Sequence, residues 1–258
     1  MYLVFDIGGT KTRIATSDGQ TINQPLILPT PADYSLESFK QFKDQKIEAL
    51  AGGIAGPLNH DKKSLENSPQ LPNWTTKPLV KDLEDIFKAP VYLENDATLA
   101  GLGEATLGAG KGYSIVAYLT ISTGVGGVKI VDGKIDKNVH GFEPGQMMVR
   151  DGRLGEFVSG MALEKKYGKK PEDIKNPAVW QEVEKYLAEG LNNIIVDWSP
   201  NIIVLGGGII QSINLENIEK SLKENIDIFK DIPPIKKAEL GDLNGLYGAL
   251  EYLKQHTS

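Results

Sequence analysis

The stretch Met1-Tyr2-Leu3-Val4-Phe5-Asp6-Ile7-Gly8-Gly9-Thr10-Lys11-Thr12 decides how the rest of the chain is read. Residues 2–5 form a short apolar run of the kind buried in a strand. It ends at a carboxylate, Asp6, and two glycines and a threonine come soon after. Residues 12–16 read as a second strand, so the glycines fall in a hairpin. Adjacent glycines reach positive φ without strain and turn their N–H groups toward one point, where an anion can sit. Lys11 adds a charge there, and the hydroxyls of Thr10 and Thr12 are donors for phosphate oxygens. Asp6 cannot favour a phosphate directly, so its use beside one is to hold a hydrated Mg²⁺. A plain glycine hairpin is the other reading of this stretch, and the stretch alone does not separate the two.

Working outward, 258 residues allow one large domain or two smaller ones. Hydrophobic residues at 40% and charged ones at 24% are ordinary for a globular protein. A net charge of -6 argues against nucleic acid as a partner. No apolar run is long enough for a membrane and no signal peptide precedes the first strand, which fits a cytoplasmic protein. The absence of cysteine excludes disulfides, thiolate zinc sites and a cysteine nucleophile.

Asp18-Gly19 signals a turn into a third antiparallel strand at 21–28, and 35–42 reads as a helix capped by Ser35. A strand is expected at 47–54, ending in Ala55-Gly56-Pro57. Next is a long polar loop over 59–73, whose length marks it as functional. A helix within 74–87, a strand at 89–93 and a helix from Asn95 to about Leu107 come after it. Residues 108–112 read as a hinge. Beyond it the opening pattern returns: a strand at 114–121, the turn Ser122-Thr123-Gly124-Val125-Gly126-Gly127, a strand at 128–131, then Asp132-Gly133. Two similar hairpins imply two related halves, each offering an anion-binding turn. Helices are expected at 157–167, 177–198, 215–229 and 244–255, and strands at 201–205 and 235–240. Gly206-Gly207-Gly208 ends a strand and opens toward a helix, a familiar nucleotide geometry. Glu94-Asn95-Asp96 joins a strand to a helix, where ligands of α/β sheets collect. There Asn95 or Asp96 is either a helix N-cap or, for Asp96, a general base in phosphoryl transfer.

Taken in order, Asp6-Ile7-Gly8-Gly9-Thr10-Lys11, Glu94-Asn95-Asp96-Ala97, Ser122 to Gly127 and Val204-Leu205-Gly206-Gly207-Gly208 resemble the ROK family of sugar kinases and repressors, within the actin-like ATPase superfamily. Gly56-Pro57, Leu71-Pro72-Asn73-Trp74 and Gly245-Leu246-Tyr247-Gly248-Ala249 extend the resemblance over essentially the whole chain. It implies an α/β fold of two ribonuclease-H-like (actin/hexokinase-type) domains with a ligand cleft between them. The first domain would be 1–108 plus 246–258, and the second 109–245.

The implied activity is ATP- and Mg²⁺-dependent phosphorylation of a hexose, with glucose and its 6-hydroxyl leading. Another hexose or amino-sugar, such as fructose, N-acetylglucosamine or N-acetylmannosamine, is the alternative within enzymes. A non-catalytic sugar sensor is the alternative outside them. ROK repressors carry an N-terminal helix-turn-helix, which this sequence does not display ahead of Tyr2. The resemblance makes Asp6, Gly8, Gly9, Thr10, Lys11 and Thr12 the first phosphate loop, with Asp6 on Mg²⁺ through water. Thr123, Gly124, Gly126 and Gly127 become the second, and Gly206, Gly207 and Gly208 receive adenosine. Asp96 is the implied base, and Asn95, Gly56, Glu143, Gln146 and Glu156 surround the sugar. A homodimer is compatible with the resemblance.

The chain also departs from the family. Gln146 stands where a histidine both contacts sugar and binds zinc, and residues 147–155 replace the cysteine-rich zinc loop, so no zinc site is expected. Ser122 and Val128 flank the second loop where glycines are common, and Gln70 stands for an asparagine.

Overall fold

The computed structural model describes residues 1–257, which divide into two compact units. One comprises 1–106, 138–141 and 242–257; the other comprises 107–137 and 142–241.

In the first unit β1 (Tyr2–Ile7), β2 (Lys11–Ser17) and β3 (Leu26–Pro29) form an antiparallel meander. The short α1 (Glu37–Lys40) is next, then β4 (Ala49–Ile54), α2 (Leu79–Phe87), β5 (Val91–Asn95) and α3 (Asp96–Thr106). β4 and β5 join in parallel with β1, giving the order β3-β2-β1-β4-β5. β4 is buried at every residue, as its unbroken apolar and glycine sequence requires of a strand covered on both faces. Phe5, Phe39, Trp74, Leu79 and Leu83 fill one side of this sheet, with Phe5 and Phe39 edge to face at 5.3 Å.

The second unit repeats the plan. β6 (Ile115–Ile121), β7 (Val125–Val131) and β8 (Lys134–Ile135) form the meander. A small hairpin, β9 (Met148–Val149) with β10 (Gly152–Arg153), leads into α4 (Leu154–Val158), α5 (Gly160–Tyr167) and the long α6 (Pro177–Trp198). β11 (Ile202–Gly206), α7 (Leu215–Asn225) and β12 (Ile235–Lys237) complete it, with the order β12-β11-β6-β7-β8. Each sheet is therefore a three-stranded meander extended by two strands parallel to its first. The repeat read from two glycine hairpins extends to all five strands. Leu187, Leu191 and Ile194 of α6 and Ile218 and Leu222 of α7 enter the core of this unit.

The chain ends in α8 (Asn244–Thr257), which belongs to the first unit and lies on α3. No helix among the described residues is long and apolar enough to cross a membrane.

Several element boundaries differ from expectation. The third strand starts at Leu26 and not at 21, because Asp18 Oδ1 accepts from Gln20 N and Thr21 N and curls the chain. Only Ile22 bridges back, to Ser17, and Pro25 offers no donor. Ser35 does not cap α1: Leu36 occupies that position without a side-chain hydrogen bond. The single helix expected over 157–167 is two, broken at Ser159, whose backbone is extended and whose Oγ accepts from Ala162 N at 3.2 Å to start α5. β7 begins at Val125, α7 stops at Asn225 and β12 stops at Lys237.

Candidate active site

In the first unit the strand register brings the sequence motifs to one level. Asp6 of β1 lies beside Gly53 of β4, which lies beside Glu94 of β5; Ile7, Ile54 and Asn95 are the next rung. Three parallel strands thus end together, so the segments leaving them gather at a single sheet edge. Gly53 is required there by space, since a Cβ would lie 2.9 Å from the Asp96 Cα. Gly56 adopts φ 126°, and its carbonyl accepts from Asn95 Nδ2 at 3.0 Å. Asn95 Oδ1 accepts from Thr98 N at 3.1 Å, so the helix-capping reading of Asn95 holds. Asp96 opens α3, where the helix N-terminus favours a carboxylate, and its Oδ1 accepts from Ala97 N at 2.8 Å.

The glycine turn is built differently from the expected nest. Neither Gly8 nor Gly9 has positive φ; the turn closes by Gly8 N donating to Lys11 O at 3.0 Å. Gly9 lies close under Gln70, whose Cβ would be 3.0 Å from a Cβ at position 9, so a side chain there would crowd it. Thr12 is 3% exposed and its hydroxyl is spent on Thr30 Oγ1 at 2.9 Å, while Thr30 Oγ1 donates to Gly8 O at 2.7 Å. Thr12 therefore braces the turn and does not present its hydroxyl to a phosphate. Thr10 and Lys11 are exposed.

The carboxylates Asp6 and Glu94 each pair at this edge with a cation that sequence reading passed over. Arg13, directly opposite Asp6 in the β1–β2 register, reaches Asp6 Oδ2 with Nη1 and Asp242 Oδ2 with Nη2, each at 3.2 Å. Its Nε is buried without a hydrogen-bond partner among the described residues. Burial pushes the Asp6 carboxyl up to about 6, with Arg13 pulling the other way. The second pair joins Lys62 Nζ to Glu94 Oε2, and Glu94 Oε1 accepts from Asn95 N. A buried carboxylate must find a cation or a donor; Glu94 finds one in the long polar loop over 59–73. Asp6 could have been matched to Arg13 by counting across the hairpin, whereas Lys62 has no such signal.

Arg13 uses only Oδ2 of the Asp6 carboxyl. Among the described residues no three His, Cys, Asp or Glu side chains cluster to cage a metal. That donor set fits a Mg²⁺ that keeps most of its waters and arrives on a polyphosphate.

In the second unit the turn between β6 and β7 is Ser122-Thr123-Gly124, and the expected loop residues Gly126 and Gly127 are instead rungs of β7 opposite Thr120 and Leu119. The N-terminus of α5 docks on this turn: Gly160 N donates to Ser122 O at 2.7 Å and Met161 N to Thr123 O at 3.1 Å. Gly206 ends β11, while Gly207 at φ 90° passes so close that a Cβ would lie 2.2 Å from Ile121 O. Only glycine fits there. The two glycine segments thereby border one cavity of about 550 Å³, lined by Thr123, Gly160, Met161, Trp180, Gly208, Gln211 and others. Trp180, which packs against the core of this unit, also lines the cavity and donates its ring N–H to Ile174 O at 3.0 Å.

Glu143 precedes and Gln146 ends a short 3₁₀ turn laid on β7: a Cβ on Gly145 would meet Val125 O at 2.6 Å. Glu143 is water-accessible yet recessed, and desolvation pushes its carboxyl above the ordinary range. Glu156 Oε2 accepts from Arg153 N at 2.8 Å and so fixes the start of α4. Gly145 and Gly155 run close enough that a Cβ on Gly155 would lie 3.1 Å from Gly145 O, which brings the two glutamate segments side by side.

Comparison with known proteins identifies the family. The Clostridium perfringens (strain 13 / Type A) protein CPE0188 is 32% identical, covering 99% of this chain and 98% of its own. The fructokinase of Pediococcus pentosaceus is 27% identical over 95% of this chain and 94% of its own. The crystal structure of a ROK hexokinase from Thermus thermophilus matches with a TM-score of 0.83 at 26% identity, covering 100% of this chain and 99% of that one. The ROK family profile matches residues 2–256, and the chain belongs to the ROK family.

Proposed function

We propose that this protein is an ATP-dependent hexose kinase in which Asp96 is the general base. The observation that carries the reading is the common level of Asp6, Gly53 and Glu94, which puts the first glycine turn and Asp96 at one sheet edge. Asp96 accepts the proton of the attacking sugar hydroxyl. Because the transition state of phosphoryl transfer is loose, the base chiefly aims the nucleophile, and a carboxylate held at a helix N-terminus suits that task. Asn95 keeps its bond to Gly56 O with one amide hydrogen and has the second for a sugar oxygen. Thr10, Lys11 and the Ser122–Gly124 turn receive phosphates, and the cavity beside Gly208 receives the nucleoside. Asp6 holds the hydrated Mg²⁺, which supplies charge neutralisation on the phosphates. Glu143, Gln146 and Glu156 offer acceptors and an amide to sugar hydroxyls. Glucose phosphorylated at the 6-hydroxyl is the first reading of the substrate. Fructose is the second, favoured by the Pediococcus pentosaceus relative. A coupled assay of ADP release over a panel of hexoses and amino-sugars tests this: turnover with glucose or fructose is expected, and no turnover with any sugar sinks the proposal.

Zinc is expected to be dispensable. The chain has no cysteine, and residues 147–155 contain a tight hairpin where the family resemblance implies a zinc loop. A structural zinc site contributes an apparent ~10–16 kcal/mol in zinc-finger peptides, so a chain depending on one would collapse on chelation. Full activity should return after treatment with a strong zinc chelator once Mg²⁺ is restored. Stoichiometric zinc in the purified protein, or recovery only with zinc, would show otherwise.

A further inference from the structure

The β9–β10 hairpin connects Gln146 to Glu156; Val149 packs into the core with α6, Asn193 Nδ2 of α6 donates to Met148 O at 3.4 Å, and Arg150 reaches α6 from the hairpin tip. Arg150 sits in the turn at φ 55°, a conformation that costs a non-glycine residue energy and is kept only where something holds it. Its Nε lies 2.9 and 3.0 Å from the two carboxylate oxygens of Glu189, and Nη2 donates to the same group. The guanidinium covers the ring of Tyr186 at 5.0 Å. Tyr186 in turn stacks flat on Phe157, centroids 4.1 Å apart and planes 5° from parallel. Phe157 is the residue after Glu156. A fork-on-carboxylate pair with an aromatic floor is a geometry that arginine forms and lysine cannot.

We propose that Arg150 is the positioning residue for the sugar half of the site, holding Glu156 and, through the Gly145–Gly155 contact, the Glu143–Gln146 turn. The proposal rests on the hexose-kinase reading above. Arg150 is exposed and Glu189 only partly buried, and pairs at the surface add little to global stability. Its effect should therefore fall on the order of this hairpin and on sugar affinity, leaving the melting temperature and the nucleotide alone. That separation distinguishes positioning from a merely structural role.

Arg150→Gly is the informative variant, because glycine relieves the backbone at φ 55° and removes only the side chain. Glu189→Gln keeps the shape and removes the charge. For both, the sugar KM should rise ~10-fold while the ATP KM and Tm stay near wild type. Hydrogen exchange at the amides of 147–156 in the ligand-free protein should quicken by a similar factor. The double variant Arg150→Glu with Glu189→Arg should recover most of the sugar affinity. An unchanged sugar KM in both single variants overturns the proposal, as does a parallel rise in both KM values with a falling Tm. If the wild-type protein turns over no hexose, the kinase reading fails by itself; unchanged exchange at 147–156 then still overturns the clamp, and quickened exchange retains it as a loop anchor without a sugar role.

Discussion

Asp96→Asn is expected to lower kcat on the best hexose by ~10²–10⁴, the usual range for loss of a general base. The substitution is conservative in shape, and the asparagine carbonyl can still accept from Ala97 N as Asp96 Oδ1 does at 2.8 Å. Gly53 leaves the backbone of residue 96 undisturbed in either protein. What disappears is the capacity to take a proton. Nucleotide affinity should survive, since the cavity beside Gly208 belongs to the other unit. Steady-state kinetics with the sugar chosen from the panel, together with nucleotide titration, read both quantities. A kcat close to wild type would remove Asp96 from the chemistry, and a parallel loss of ATP affinity would point to damage beyond the base.

The second large effect concerns the crossing of α3 and α8. These helices meet backbone to backbone at Gly248, where a Cβ would lie only 1.7 Å from the Leu99 carbonyl oxygen. Gly103 makes the reciprocal approach, with a Cβ there placed 2.5 Å from Asn244 O. Gly248→Ala cannot be absorbed by a side-chain rotation, because the obstructing atom is part of the α3 backbone. The helices must separate along the whole contact, losing packing around Leu246, Ala249 and Leu250, which are at most 1% exposed. Overpacking of this kind costs ~3 kcal/mol or more, which lowers Tm by ~10 °C for a unit of this size. Asp96 begins α3, so activity should fall with stability in this variant. Differential scanning calorimetry settles the matter: a Tm within a degree or two of wild type would mean that the helices accommodate the methyl without moving.

Legibility in the sequence varied with distance along the chain. The 22 residues of α6 were readable because Asn176 and Pro177 announce the start and the apolar spacing continues to Trp198. The strand-turn-strand units around Gly8 and Gly124 were readable because alternation and turn residues act within a hairpin. The break at Ser159 was not, since the helix pattern expected over 157–167 continues across it and the interruption is set by the contact of Gly160 N with Ser122 O. Thr12 was misread for a related reason: a hydroxyl beside a glycine turn serves a phosphate or a neighbour equally well, and the neighbour, Thr30, arrives from beyond a different strand.

The sequence by itself determined the α/β class, the doubled hairpin, the glycine positions and the order of motifs that marks the ROK family, because these depend on local periodicity and on residues with special backbone freedom. Tertiary structure decided which side chains meet. Asp6, Gly53 and Glu94 come level only through strand register, and Arg13, Asp242 and Lys62 find their ion-pair partners only once strands and loops have closed. The cavity beside Gly208 gathers residues from Ser122 to Ser212, and Arg150 meets Glu189 across the face of α6. The partners of Asp6 and Glu94 follow from burial, which forces an enclosed charge to a partner wherever in the chain that partner lies.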